Sequence, residues 1–223
     1  MADKKAGRRT ILGEASGEIE EKKSRFIAAL KHVETEAEAE AFLALQKKTY
    51  YDARHHCSAF IVSSSGQEIL RSNDDGEPSG SAGRPILSVL EGENLHDTIA
   101  VVTRYFGGTL LGVGGLVRAY QGAVREALKS AVFVERRAGR KLLVTASYND
   151  DGKLKYQFRQ KELTILDTQY GQDVTTTLLL PVDKAEAVKR EVTDLTAGRA
   201  LIEEGDVCSY DWADGEVLTV YDE

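Results

Sequence analysis

TRYFGGTLLGVGGLVRAY, residues 103–120, is the stretch on which the fold of the first half of this 223-residue chain turns. It opens inside residues 98–106, a run of β-branched and aromatic side chains of the kind a strand requires. Residues 107–115 then hold five glycines in nine positions. From residue 116 to 131, Leu116, Tyr120, Val124, Ala127, Leu128 and Ala131 recur at helical spacing. The order is strand, glycine loop, helix. Such a loop brings backbone N–H groups close to an anion at a helix N-terminus, or it simply makes a tight turn and allows close packing. The specific phosphate fingerprints fail. There is no G-x-x-x-x-G-K-[ST], and Gly112-Val-Gly114-Gly115-Leu-Val117 ends on Val where a dinucleotide fingerprint needs Gly or Ala. A kinase or an NAD enzyme is therefore not indicated.

Upstream of this stretch, residues 17–33 read as two strands, and Thr35 opens a helix as N-cap with Glu38 completing a capping box. The pattern predicts that helix to residue 48, a hairpin of residues 58–63 and 67–71 around 64–66, a loop over 73–83 and a helix over 85–92. Downstream, the charged residues 135–140 read as a linker between domains. Beyond it come a strand at 141–148, a helix at 153–161, a hairpin of 163–169 and 173–180, and a helix capped by Asp183 and closed by Gly198. Strands at 200–204, 207–212 and 216–221 complete a β-α-β-β-α-β order of the ferredoxin-like kind. Three segments are expected: an N-terminal extension over 1–16, a first domain over 17–135 and a second over 139–223.

With 42% hydrophobic and 29% charged residues, the composition is that of a globular chain. No apolar run approaches the roughly 20 residues of a bilayer crossing. The basic start, MADKKAGRR, is followed by ILGEASGEIEEKK rather than an apolar segment, so the expected location is the cytoplasm, with no membrane partner. Cys57 and Cys208 read as two reduced, buried thiols. Residues 1–138 balance 19 Lys and Arg against 19 Asp and Glu, while residues 139–223 hold 10 against 17, so the whole net charge of -7 sits in the C-terminal part. An acidic total argues against indiscriminate nucleic-acid binding and leaves room for a local basic face on the neutral half.

Arg118, Arg125 and Lys129 fall on one side of the expected helix, opposite its apolar stripe and around Gly122. Arg84 and Arg104 lie near the two loops. Such a face suits a phosphate backbone. Asp74, Asp75 and Glu77 offer carboxylates to a divalent cation, but Asp-Gly and Glu-Pro are turn-forming pairs, and the turn reading is preferred; no metal and no cofactor are expected. His55, His56 and Cys57 are neighbours on an extended chain and point to opposite faces, so they read as strand-entry residues rather than ligands. Neither Cys57 nor Ser79 or Ser81 sits in an activating motif such as G-x-S-x-G.

DDGEPSGSAGRP (residues 74–85) followed by TRYFGGTLLGVGGLVRAY resembles the signature of the IMPACT/YigZ family, and KSRFIA (23–28) and HHCSAF (55–60) match family segments in the right order. The chain is identified on these segments as a bacterial two-domain member. The resemblance implies an α+β protein: an N-terminal two-layer α/β domain similar to the ribosomal-protein domain-2-like fold, then a ferredoxin-like domain similar to the last domain of elongation factor G. It implies RNA or the ribosome as partner, or a protein partner in translation control. Eukaryotic members restrain the kinase that shuts down translation initiation in starvation and carry an extra upstream domain. With about 16 residues ahead of the family region, that role is not transferred whole, and a bacterial-type translation or stress role is expected.

The expected phosphate or nucleic-acid contacts are Arg84, Arg104, Gly107, Gly108, Gly112, Gly114, Gly115, Arg118, Arg125 and Lys129. Asp74, Asp75, Gly76, Glu77, Pro78, Gly80, Gly83 and Tyr105 form the signature itself. The alternative is a metal-dependent hydrolase or phosphotransferase using residues 74–77 and 107–115.

Overall fold

The computed structural model of the chain describes residues 7–64 and 67–222. Its packing divides the described residues into two units, residues 8–134 and residues 135–222 together with Gly7. In the first, β1 (Arg8–Ile11), β2 (Glu14–Glu21), β3 (Ser24–His32), α1 (Glu36–Thr49), β4 (His55–Ser64), β5 (Gln67–Asn73), α2 (Gly83–Gly92), β6 (Thr98–Tyr105) and α3 (Val113–Leu128) follow in chain order. Five strands pair antiparallel in the order β2-β3-β6-β4-β5. The hairpin turn expected around residues 64–66 falls in part on residues 65–66, outside the described residues.

β6 lies at the centre, and its sequence TIAVVTRY is apolar on both faces for that reason. Ala100 and Val102 join Phe26, Leu30 and Cys57 in a core with α2 and α3, while Ile99 and Val101 pack with Phe42 of α1. The sheet thus carries α2 and α3 on one face, and α1 adds a layer on the other. Thr35 caps α1 as its sequence requires: its hydroxyl accepts the Glu38 N–H at 3.1 Å, and the Glu38 carboxylate accepts the Glu34 N–H at 2.8 Å. Residues 8–16, read from sequence as part of an extension, carry β1 and the start of β2. The Leu12 N–H donates to the Val132 carbonyl at 2.8 Å, and buried Thr10 meets His32 Nδ1 at 2.8 Å.

α3 starts at Val113, three residues before the sequence places it, with Gly112 as N-cap at φ 74° and no side-chain cap. A cap contributes about 1 kcal/mol, whereas burying a side chain the size of Leu116, Val124 or Leu128 contributes about 1.5–3 kcal/mol each. Packing rather than capping therefore holds this helix.

The second unit contains β7 (Phe133–Ala146) from Glu135 onward, α4 (Tyr148–Gln160), β8 (Thr164–Tyr170), β9 (Val174–Pro181), α5 (Ala185–Thr196), β10 (Leu201–Ala213) and β11 (Glu216–Asp222). The order β11-β10-β7-β9-β8 is the ferredoxin-like arrangement with β11 added at one edge. The linker expected at 135–140 does not exist. Those residues lie in β7, because their charges are paired across the sheet: Arg136 Nε and Nη2 meet the fully buried Asp211 at 2.8 and 3.0 Å, and the Arg137 guanidinium lies 4.8 Å from the Trp212 ring. The two strands expected over 200–212 are one, β10, broken only by a register shift between Glu204 and Val207. Asp183 lies in a single 3-10 turn, Val182–Lys184, ahead of α5.

Candidate functional site

The three acids that follow β5 are used in three different places. Asp74 accepts the backbone N–H groups of Gly80, Ala82 and Gly83 at 2.8, 3.0 and 2.8 Å, so that it ties the loop to the first turn of α2. Burial alone would raise its pKa, but these three donors prevail and hold the carboxyl below its ordinary value. Asp75 accepts the His56 N–H at 2.7 Å and Lys47 Nζ at 3.0 Å. Glu77 turns inward, where its Oε1 accepts Arg104 Nη1 at 2.5 Å and the Tyr120 hydroxyl at 2.8 Å.

Gly76 lies against the His55 ring, the Pro78 carbonyl accepts the Ser81 N–H, and Gly80 and Gly83 supply donors to Asp74. Among the described residues no group of three His, Cys, Asp or Glu side chains stands where it could hold a metal ion. The acids of the signature fasten their own loop.

Arg104, expected among the anion contacts, is a correction. It is 6% exposed, neutralised by Glu77 and placed 5.4 Å from the Phe26 ring. Its position follows from the sheet: alternation puts Arg104 on the same face as Ala100 and Val102, beneath α3, and a charge enclosed there needs a partner. Tyr120, from the second turn of α3, completes this network and packs edge-on to Phe26 at 5.2 Å. Burial raises the Tyr120 hydroxyl and pushes the Cys57 thiol up to about 12.

The Cys57 thiol lies 3.0 Å from the Asp74 carbonyl and 3.3 Å from the Tyr120 hydroxyl. A thiol so protonated is not a nucleophile. His55 donates through Nδ1 to the Asp75 carbonyl at 2.9 Å and His56 through Nε2 to the Tyr50 carbonyl at 3.1 Å, which are structural bonds. Tyr105 donates to Asp52 at 2.7 Å and lies on the opposite face of β6 from Arg104.

The remaining predicted residues do lie outside. Ser88 of α2 accepts a hydrogen bond from Gln121 of α3 at 3.0 Å, which sets the two helices side by side. Arg84, one turn before Ser88, and Arg118 and Arg125, on either side of Gln121, are exposed on the outer face that this bond defines. None of the three arginines forms an ion pair among the described residues, whereas Lys129 is paired with Glu126 at 2.6 Å. Neither Ser88 nor Gln121 carries a local sequence signal, since the two are 33 residues apart.

The glycines of the loop divide. Gly107 is structural: a Cβ there would stand 2.0 Å from the Lys23 carbonyl carbon, because the loop crosses the β2–β3 turn. Gly112 has φ 74° and open space around it, Gly108 and Gly114 are exposed, and Gly115 backs onto the Leu111 side chain. The Arg118 Nη1 lies 3.6 Å from where a Gly114 Cβ would be.

The family model described as the Impact N-terminal domain matches residues 22–128, and a domain of unknown function, DUF1949, matches residues 144–199. IMPACT family member YvyE of Bacillus subtilis (strain 168) is 40% identical over 198 residues, which cover 89% of this chain and 91% of that protein. IMPACT family member YigZ of Escherichia coli (strain K12) is 34% identical over 178 residues, 79% of this chain and 87% of the relative. A crystal structure described as that of a hypothetical protein matches with a TM-score of 0.59 at 31% identity, covering 88% of this chain and 96% of that one.

Proposed function

Since this chain belongs to the IMPACT family, we propose that it is a non-enzymatic RNA- or ribosome-binding protein of the cytoplasm with a role in translation regulation or stress response. The observation that carries this reading is the shared outer face of α2 and α3, on which Arg84, Arg118 and Arg125 stand exposed without ion-pair partners. Unpaired guanidinium groups on one surface are suited to phosphate oxygens, which they meet in a bidentate fork. The acidic total charge keeps this attraction local. A metal-dependent hydrolase draws no support from the signature loop, because each of its carboxylates is already engaged with the protein.

The test is binding of the intact protein to ribosomes and to a structured RNA over a salt series. Affinity is expected to fall steeply with salt, and Arg118→Glu with Arg125→Glu to weaken it by about ten-fold or more while flattening the salt dependence. Binding that ignores both salt and the two substitutions would sink the proposal.

A further inference from the structure

The β2–β3 hairpin turns on two residues, Lys22 and Lys23, since Glu21 pairs directly with Ser24. Both lysines hold a left-handed backbone, at φ 47° and 64°. A two-residue turn with positive φ at both positions is of type I′, which the dipeptide Asn-Gly fills readily and a residue with a longer side chain fills at a cost. Two long cationic side chains thus stand where the backbone disfavours them. Backbone strain persists where the surroundings enforce it, and it gathers at sites of function. Here the surroundings do hold the turn: Gly107 crosses it backbone against backbone, and the Gly107 N–H donates to the buried Ser24 hydroxyl at 3.1 Å. Both lysines are nevertheless exposed. Although Glu20 and Glu21 precede them, neither lysine forms an ion pair among the described residues.

The turn also lies at the Arg118 end of α3. A Cβ on Gly17 would stand 2.4 Å from the Ala127 nitrogen, and one on Gly122 would stand 3.2 Å from Ile19 Cδ1. Two residues along β2, about 7 Å, therefore match five residues back along α3, about 7.5 Å. Tyr120, edge-on to Phe26, the partner of Ile19 across the hairpin, fixes the same direction. One further step of this kind brings β2 to Glu21 and α3 to Val117, next to Arg118. The hairpin tip comes next.

We propose that Lys22 and Lys23 are phosphate-binding residues, so that an RNA backbone held at Arg118 continues over the tip of the β2–β3 hairpin. The inference rests on the RNA-binding reading and extends its surface from the two helices to the edge of the sheet, where β2 lies. Ammonium groups meet phosphates as point charges and guanidinium groups as forks, so one phosphate backbone suits both kinds of cation.

The experiment follows binding of a fluorescein-labelled RNA hairpin to the intact protein by anisotropy over a salt series, with a thermal melt of each variant. Lys22→Asn with Lys23→Gly supplies what the turn prefers and removes both charges. It is expected to raise the melting temperature by about 2 °C or more. RNA binding is expected to weaken about five-fold or more, and the logarithmic salt slope to become shallower by about 1–2. Lys22→Gln with Lys23→Gln keeps the strained backbone and is expected to lose the same binding without the gain in stability, while Lys22→Arg with Lys23→Arg retains binding. If Lys22→Asn with Lys23→Gly binds RNA as tightly as the wild type and with the same slope, the lysine contact is wrong and the RNA reading stands. If the wild type binds no RNA at low salt, both fall. A melting temperature that Lys22→Asn with Lys23→Gly leaves unchanged or lowers removes the strain on which the assignment rests and overturns it. Loss of a protein partner by Lys22→Gln with Lys23→Gln, with RNA binding intact, gives the turn to a protein interface and likewise overturns the inference.

Discussion

Glu77 illustrates how a single residue changes meaning once its surroundings are known. In the sequence it is one of three clustered acids; in the fold its side chain is 3% exposed and holds both Arg104 and Tyr120. Removing one partner of a buried ion pair leaves the other charge enclosed, so Glu77→Ala is expected to lower stability by about 3–5 kcal/mol, read as a drop in the urea midpoint. Replacing Glu77 and Arg104 together by Leu and Met is expected to recover much of that loss.

Asp74 makes a prediction about pH. Its carboxyl is held below the ordinary value of 3.8, so its contribution is fully present above that value and is lost as pH falls through the lower folded value. Asp74→Asn, which sets an amide where acceptor oxygens are needed, is expected to destabilise the protein at pH 7. It also flattens the acid limb of the stability curve below about pH 4, measurable by urea unfolding across pH.

At the level of elements, the strand, loop and helix of residues 98–128 depend on close approach more than on capping. Gly107 passes the β2–β3 turn with backbone directly against backbone, and backbone has no flexible end to give way. Gly107→Ala is therefore expected to cost at least about 1–3 kcal/mol, seen as a lower melting temperature, with Phe106 and Arg104 displaced along with the loop. These elements were largely legible in the sequence, since β6 is rich in β-branched side chains, α3 shows clear helical periodicity and Thr35 is a clear cap. Two readings failed for a shared reason. Residues 135–140 have the charge of a linker and Arg104 the charge of a surface residue, yet each charge is satisfied by a partner far away in the chain, Asp211 for Arg136 and Glu77 for Arg104. Local pattern carries no trace of such pairings.

For the whole molecule, the division of charge and the proposed RNA-binding role together predict where bound RNA would crosslink. Residues 8–134 present Arg84, Arg118 and Arg125, and the acid excess lies in the second half. Crosslinking of bound RNA followed by peptide mapping is expected to mark residues 84–125 and to leave 139–222 unmarked; crosslinks confined to the second unit would contradict the assignment. By itself the sequence determined most of the helices and strands, the ferredoxin-like second unit and the family, because periodicity, turn chemistry and signature motifs are local properties. Only the tertiary structure decided which signature residues face inward and which outward. Asp74, Asp75, Glu77 and Arg104 bind the loop, sheet and helix to one another, while Arg84, Arg118 and Arg125 remain exposed, because sheet alternation and the Ser88–Gln121 contact assign faces that composition and spacing leave open.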